Sequence, residues 1–174
     1  MTEGERAVWL ERLKSGRDAF VQAVCGLSES QARFKTCADR WSIEEIVEHV
    51  AITERHLLAS ISQNYELVET AENEVSSAAL NKGRDRKASP LAAPERLCPA
   101  AEFGGLAGAL EHFFASREAT IQFVQGCEAD LRLRMTNHPL GRMHGRDVLK
   151  IVIGHPARHL EQIAEVKAAA GYPS

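Results

Sequence analysis

Apolar residues recur at intervals of three and four positions in four separate stretches of the 174-residue chain. This spacing is the period of an amphipathic helix. Alternation of apolar and polar residues, which would indicate strands, is absent over any useful length. The pattern predicts helices over about 5–27, 42–64, 103–126 and 145–170. The predicted fold class is therefore all-α, a four-helix bundle that forms a single domain over residues 1–174.

The core should consist of the apolar stripes of these helices. They comprise Leu10, Leu13, Phe20, Val24 and Leu27 in the first, Ile43, Ile46, Val47, Val50, Leu57 and Ile61 in the second, Leu106, Leu110, Phe113, Phe114, Ile121 and Val124 in the third, and Val148, Val152, Ile163 and Val166 in the fourth. Residues 65–102 contain Pro90, Pro94 and Pro99, a poor composition for a long helix. We expect a long connection there, which could include one short helix and could cross the length of the bundle.

Two histidines interrupt the stripe of the fourth helix. His155 and His159 are one turn apart, so their side chains lie on one face about 6 Å apart, as two ligands of one metal ion would. His49, on the shoulder of the second helix, could complete a set of three nitrogens with an open position, which suits zinc, nickel or iron. Alternatively, the imidazoles are core residues that bond to carbonyl groups or to Glu54.

The other histidines are less suited to this site. His56 lies two turns beyond His49, about 10 Å away, and we interpret it as structural. His112, His138 and His144 have no helical partner at metal spacing, so we expect solvated residues or caps. Pro156 removes one helix hydrogen bond and could tilt His155 towards the site. Gln162 could orient the site or be a surface residue.

Three charged residues also fall on inner faces. Glu54 is the candidate catalytic residue, as a general base; it could also accept a hydrogen bond from a ligand histidine or bind the ion. Arg17 and Arg117 could form an internal polar network with it. We favour instead that both arginines extend their charged groups to water at the ends of the bundle.

Charge and composition narrow the possible partners. The 21 basic and 24 acidic residues are dispersed and leave a net charge of -3, so nucleic acid and an anionic membrane are not expected. No run approaches the roughly 20 apolar residues that span a bilayer, and no basic leader is apparent, which favours a cytoplasmic protein. We expect Cys25, Cys37, Cys98 and Cys127 to be reduced thiols and not metal ligands.

Two segments resemble the DinB-like superfamily of metal-dependent bundle proteins. Residues 41–50, WSIEEIVEHV, resemble its W-S-x-x-E-[IV]-x-x-H segment, and residues 154–163, GHPARHLEQI, resemble its H-x-x-x-H-x-x-Q-[IL] segment. Residues 138–141, HPLG, resemble its H-P-x-[FL]-G turn. The resemblance implies an up-down-down-up bundle with the crossover between helices two and three. It also implies that His49, His155 and His159 are the metal triad.

The resemblance further implies a homodimer and, by analogy with several branches, a small-molecule substrate such as a low-molecular-weight thiol: bacillithiol, mycothiol or glutathione. Pro156 and the pair Leu160-Glu161, where some thiol-transferase branches carry Arg-Gly, depart from the commonest pattern. The leading hypothesis is a metal-dependent enzyme that transfers a thiol to an electrophile. The alternatives are a metal-dependent hydrolase and a non-catalytic metal-binding or stress-response dimer.

Overall fold

The computed structural model of the chain describes residues 1–70 and 92–174. Its helices are α1 Glu3–Val24, α2 Glu29–Arg33, α3 Ile43–Ser62, α4 Leu106–Gly126 and α5 Gly145–Lys167. Its strands are β1 Glu66–Leu67, β2 Arg134–His138 and β3 Gly141–His144, with 3-10 turns at Glu95–Leu97 and Leu131–Leu133. None of the helices in these ranges is long and apolar enough to cross a membrane. The middle of the predicted connection, residues 71–91, lies outside the described residues.

Local signals explain where the helices begin and end. Thr2, Ser28 and Ser42 each cap a helix through a capping box, in which the side chain accepts from a backbone N–H three residues on and that residue's side chain accepts in return. Gly26, with φ of 74°, follows the end of α1 in the left-handed conformation that favours glycine. The predicted helix boundaries agree with the four long helices to within three residues at each end.

The directions of the helices follow from contacts at successive levels. Ser116 of α4 lies beside Ala51 of α3, and Thr120 lies beside Glu54, so α3 and α4 are parallel. By the same test α1 is antiparallel to α4 and parallel to α5, from the contacts Arg6–Val124, Phe20–Phe113, Glu5–Arg146 and Ala23–Lys167. The bundle is therefore up-down-down-up, as predicted, and the parallel pair requires a connection that crosses the bundle.

The four long helices confirm the predicted bundle, and a minor sheet that the pattern did not predict accompanies them. A small antiparallel sheet of order β1-β2-β3 lies beside the bundle, and its hairpin pairs His138 with Gly141 around a two-residue loop. Gly141 has a φ of 118° in this tight turn. Glycine can adopt this angle because it lacks a Cβ. Strands of two to five residues are too short for the alternation of apolar and polar residues to identify them.

The core is divided into two hydrophobic clusters. One includes Leu13, Leu57, Ile121 and Val152, and the other includes Phe20, Val50, Phe113 and Ile163. Most predicted stripe residues are buried in one of them, but Phe114 is 42% exposed and does not face the core as predicted. Between the clusters lies a polar layer, which consists of Glu54, Arg117, Thr120, His49, His155 and His159. These polar residues occupy the middle of α3, α4 and α5.

Candidate metal centre

His49 is held in α3 by contacts on both sides of its ring. Its Nδ1–H donates to the carbonyl oxygen of Leu97 at 2.7 Å, and the Oγ1 atom of Thr53 lies 3.4 Å from the same nitrogen. The ring of Trp41 packs against the imidazole with centroids 4.7 Å apart. Because Nδ1 faces a carbonyl oxygen and must carry the proton, the lone pair of His49 is on Nε2, the atom that would bind a metal.

His155 and His159 face each other on α5. Their Nε2 atoms are 3.1 Å apart, and Nδ1–H of His159 donates to Oε1 of Gln162 at 2.9 Å. His159 therefore also presents an Nε2 lone pair, and in the absence of an ion Nε2–H of His155 donates to it. Gln162 therefore contacts a predicted ligand, as its proposed orienting role requires, and that role stays a prediction. The helix α5 continues through Pro156.

The three predicted ligands converge. One ring nitrogen from each of His49, His155 and His159 lies within 4.8 Å of the other two, and in the described part of the chain no other group of three His, Cys, Asp or Glu side chains does this. Tetrahedral zinc with Zn–N bonds of about 2.0–2.1 Å separates two ligand nitrogens by about 3.3 Å. The 3.1 Å between His155 and His159 is close to that value. The donor set therefore fits a divalent ion.

The surroundings of the imidazoles favour their neutral form. Burial lowers the pKa of His49, and the charge of Arg158 lowers it further, against the hydrogen bond to Leu97. The pKa of His155 lies well below its usual range, first because of burial and then because of His159, His49 and the charges of Arg158 and Arg117. A neutral imidazole is the form that binds a metal ion, so His49 and His155 are in the protonation state that coordination requires at neutral pH.

A cavity of about 410 Å³ adjoins the three histidines. Its walls are the inner faces of α3 and α5, residues 92–94, 96 and 97 around the first 3-10 turn, and residues 136–140 of the hairpin. His155 is partly exposed, whereas His49 and His159 are each 5% exposed. A small molecule in the cavity would therefore have access to the histidines.

Glu54 lies in the same polar layer but does not line the cavity. Its Oε2 accepts from Arg117 Nη2 at 2.8 Å and its Oε1 accepts from Thr120 Oγ1 at 2.9 Å. Arg117 also donates to the carbonyl oxygen of Leu13 at 3.0 Å. Both oxygens of the carboxylate therefore have partners in the core. The role of Glu54 as a general base stays a prediction, and no contact with the histidines supports it.

The two arginines differ from each other. Arg117 is 0% exposed, so the expectation that its charged group reaches water was wrong; Glu54 and Leu13 provide its hydrogen bonds inside the bundle. The side chain of Arg17 is 29% exposed and pairs with Asp18, as expected for a partly solvated residue. Burial raises the pKa of Glu54, while the charge of Arg117 and the hydrogen bonds oppose that rise.

The other histidines lie apart from the triad. His56 and His112 are exposed. His138 caps the hairpin loop, where its Nδ1 accepts from the backbone N–H of Leu140 at 3.1 Å. His144 is the N-cap residue of α5 and is buried, so it occupies a cap position but is not solvated. The four cysteines are free thiols and none belongs to the metal-ligand group in the described residues.

Some features of the site had no clear signal in the sequence. The carbonyl oxygen that orients His49 belongs to Leu97, and a backbone acceptor leaves no trace in the residue type. Trp41 was noted only as part of a motif, although its ring covers one side of His49. Arg96 lines the cavity from the connection whose composition indicated only a loop. Arg96 and Leu97 are brought to the site by the return of the chain after the crossover, whereas Trp41 directly precedes α3.

Among solved structures, YfiT from Bacillus subtilis is similar to this chain, with a TM-score of 0.61 and 14% sequence identity. The likeness covers 99% of this chain and 91% of that chain. YfiT is described as a probable metal-dependent hydrolase with an unusual four-helix bundle topology. At this low identity the likeness shows the fold. A comparison with curated protein sequences found no significant match.

A family model covers most of the chain. It describes the DinB superfamily and matches residues 12–163. The matched range extends from the middle of α1 to the last turns of α5, so it includes α3, α4, most of α1 and α5, and the three histidines. The chain belongs to the DinB superfamily.

Proposed function

We propose that this protein is a divalent-metal-dependent enzyme and that His49, His155 and His159 hold the ion. The observation that carries the proposal is the convergence of three imidazoles beside a cavity. Zinc, nickel and iron all suit such a donor set. A divalent ion held there supplies a Lewis acid, which lowers the pKa of a coordinated thiol or water molecule towards neutrality.

The arrangement favours an enzyme over a protein with a purely structural ion. Structural zinc sites are closed by four protein ligands, whereas catalytic sites keep a position open. In the described part of the chain, the group at ligand distance comprises three histidines and no fourth His, Cys, Asp or Glu side chain. A cavity adjoins them, so a substrate has room to approach.

We propose thiol transfer as the reaction. A thiol has an ordinary pKa of about 8.5, so it needs only a small shift to ionise at neutral pH, while water, at about 15.7, needs a large one. No carboxylate is among the described residues that line the cavity, so none of these offers an Asp or Glu side chain as a base for water. In the proposed step a sulfur–carbon bond forms, the leaving group departs with its bonding electrons, and the thiol proton passes to solvent.

Hydrolysis is the second candidate, and one observation favours it. The solved structure that this chain resembles over nearly its whole length is described as a probable metal-dependent hydrolase. The same three histidines would serve either reaction. The difference lies in the nucleophile, which is water in one case and a small thiol in the other.

Metal content is the first test. Tag-free protein purified without added metal should contain close to one equivalent of zinc, nickel or iron by elemental analysis. His49→Ala and His155→Ala should lose it, because each removes one of three ligands. His112→Ala is the matched control, since that histidine is exposed and outside the triad, and it should keep the metal. A wild-type protein that cannot be loaded with any of these metals would contradict the proposal.

Activity assays separate the two reactions. Metal-loaded protein is incubated with glutathione, bacillithiol or mycothiol and 1-chloro-2,4-dinitrobenzene, and formation of the thioether is followed. Hydrolysis of 4-nitrophenyl acetate without thiol is measured in parallel. Thiol transfer predicts thioether formation that is lost in His155→Ala. Ester hydrolysis that depends on His155 and proceeds without thiol, together with no thioether formation, would instead assign a hydrolase.

The homodimer remains a proposal taken from the family resemblance. The large apolar side chains that are exposed in the described residues, Val8, Leu67 and Phe114, belong to three different elements, α1, β1 and α4. Light scattering in solution gives the mass directly. A mass of about one chain, 19.1 kDa, would contradict the dimer.

A further inference from the structure

The charged residues that line the cavity are all basic in the described part of the chain. They are Arg40, Arg96, Lys150 and Arg158, and no aspartate or glutamate accompanies them. The charge of Lys150 is locally compensated, because its Nζ lies 2.7 Å from Asp147 Oδ1. A cavity lined by one sign of charge attracts ions of the opposite sign. The cavity is therefore suited to an anionic small molecule.

Arg96 is the centre of a polar cluster at one end of the cavity. It belongs to the 3-10 turn Glu95–Leu97, and its Nη2 atom lies 3.5 Å from Nε2 of His56 on α3. His138 of the hairpin lies close enough for the charge of Arg96 to lower its pKa. Among the ion pairs of the described residues, none includes Arg96. Its guanidinium group thus faces imidazoles and not a carboxylate.

The imidazole of His138 can donate a hydrogen bond without carrying charge, whereas Nε2 of His56 accepts from Arg96. Nδ1 of His138 accepts from the backbone N–H of Leu140, so the proton of the neutral ring is on Nε2. Burial, with the nearby His56 and Arg96, lowers the pKa of His138 to about 4, so the ring is neutral at neutral pH. The fixed positive charge of Arg96, with the neutral N–H donor of His138 near it, suits a carboxylate or phosphate group.

The cluster is separated from the triad by an apolar stretch. His56 follows His49 by seven residues on α3, a distance of about 10 Å along the helix. Leu57, Val148 and Ile151 line the cavity as well. The 3-10 turn Glu95–Leu97 contributes to both ends of the cavity. Arg96 lies at one end, and the adjacent Leu97 provides the carbonyl oxygen that orients His49 at the other.

We propose that Arg96, flanked by His56 and His138, binds the anionic group of a small organic acid. The apolar body of this acid lies along the cavity, and its other end reaches His49, His155 and His159. That the far end reacts there rests on the proposed function; the binding of the anion does not. The substrate class is thus an organic anion about 10 Å long, whose charge is held away from the reacting atoms.

Three probes with the same alkyl chain test this inference. Octanoate, 1-octanol and octylammonium are titrated into wild-type protein by calorimetry, in zinc-loaded samples and in samples stripped with chelator. The stripped samples matter because a carboxylate can bind to a metal ion directly. Octanoate should bind at least about tenfold more tightly than 1-octanol in both the zinc-loaded and the stripped samples, since a charge-assisted hydrogen bond contributes about that factor. Octylammonium should bind most weakly.

Substitution of Arg96 then locates the site. Arg96→Gln should remove the preference for octanoate and leave the affinity for 1-octanol unchanged, and Arg96→Lys should keep part of the preference. Arg132→Gln is the matched control, an exposed arginine that pairs with Asp130 outside the cavity, and it should behave as wild type. Because Arg96 is also exposed, the variant should fold, which circular dichroism checks.

Two results would overturn the inference. One is equal affinity for octanoate and 1-octanol in stripped wild-type protein. The other is an octanoate preference that Arg96→Gln leaves intact, which would place the anion elsewhere. If the protein takes up no metal yet shows a preference that depends on Arg96, the anion site stands and only the proposed metal-dependent reaction fails.

Discussion

Two groups of polar side chains share the polar layer of this bundle, and they are arranged differently. In the first, Glu54 and Arg117 form a buried ion pair with exposures of 2% and 0%. In the second, His49, His155 and His159 present ring nitrogens to one another beside a cavity. The first group provides its own counter-charge and the second does not.

This difference between the ion pair and the histidines indicates which buried polar side chains are expected to bind a ligand. Glu54 and Arg117 neutralise each other, so the ion pair needs no counter-ion from outside the chain. His49 and His159 use their Nδ1–H groups in hydrogen bonds to Leu97 and Gln162, so both present Nε2 lone pairs, and a neutral His155 has only one ring proton to donate to them. A cation is the partner that satisfies all three at once. Residues of the same kind facing one another are therefore a stronger indication of a metal site than burial alone.

The largest expected effect comes from breaking the ion pair. Arg117→Met leaves the carboxylate of Glu54 buried without its counter-charge, which should lower the free energy of unfolding by about 3–5 kcal/mol. Urea unfolding at pH 7 measures the loss. The double variant Glu54→Leu with Arg117→Met is the control and should recover much of the stability, because it removes both charges. A single variant as stable as wild type would contradict this account.

The pH dependence of the Arg117→Met variant provides a second check. Without Arg117 the pKa of Glu54 should rise further, so the folded chain binds a proton that the unfolded chain releases at about pH 4.3. Stability relative to wild type should therefore fall as pH rises from about 4.3 through the raised pKa. Unfolding at a series of pH values tests the sign, and a relative stability that rises with pH would contradict it.

Metal should stabilise the chain through the triad. An ion present at 100 times its dissociation constant should add about 2.7 kcal/mol to the free energy of unfolding, because it binds the folded chain selectively. For a chain of this length that corresponds to a rise in Tm of roughly 5–10 °C. Differential scanning calorimetry with zinc and with chelator measures it. His155→Ala should show no such rise, whereas Arg117→Met should keep it.

Loss of the hydrogen bond that orients His159 should have a smaller effect. Gln162→Leu removes the acceptor of the Nδ1–H of His159, so metal affinity should fall about 10- to 100-fold with folding retained. Competition with a chromogenic chelator gives the affinity. Glu161→Leu changes the exposed neighbour of Gln162 and is the matched control. Equal affinities of the two variants would show that Gln162 does not orient the site.

The smallest effect is expected at the other arginine on an inner face. Arg17 is partly solvated and pairs only with the adjacent Asp18, so Arg17→Ala should change the free energy of unfolding by no more than about 0.5 kcal/mol. Comparison of Arg17→Ala with Arg117→Met separates the effect of burial on the free energy of unfolding from the effect of losing an arginine. A loss comparable to that of Arg117→Met would mean that Arg17 belongs to the internal network.

Helical periodicity was sufficient for much of this fold. The stripes of α3 and α5 predicted their buried residues, since a helix with one apolar face can bury only that face. The phase of His155 and His159 on α5 also predicted that they face inward together. Periodicity failed for the short strands and for Phe114, because neither a five-residue strand nor the edge of a broad stripe has a distinct pattern.

By itself the sequence determined the helices, their inner faces and the three candidate ligands, because helix period and local capping act over a few residues. Tertiary structure decided which polar groups lie together. It paired Glu54 with Arg117, turned the carbonyl oxygen of Leu97 towards His49, and brought Arg96 to the far end of the cavity. These outcomes depend on which helices are neighbours and on where the crossover returns. Such contacts join residues far apart in the chain, so no local pattern encodes them.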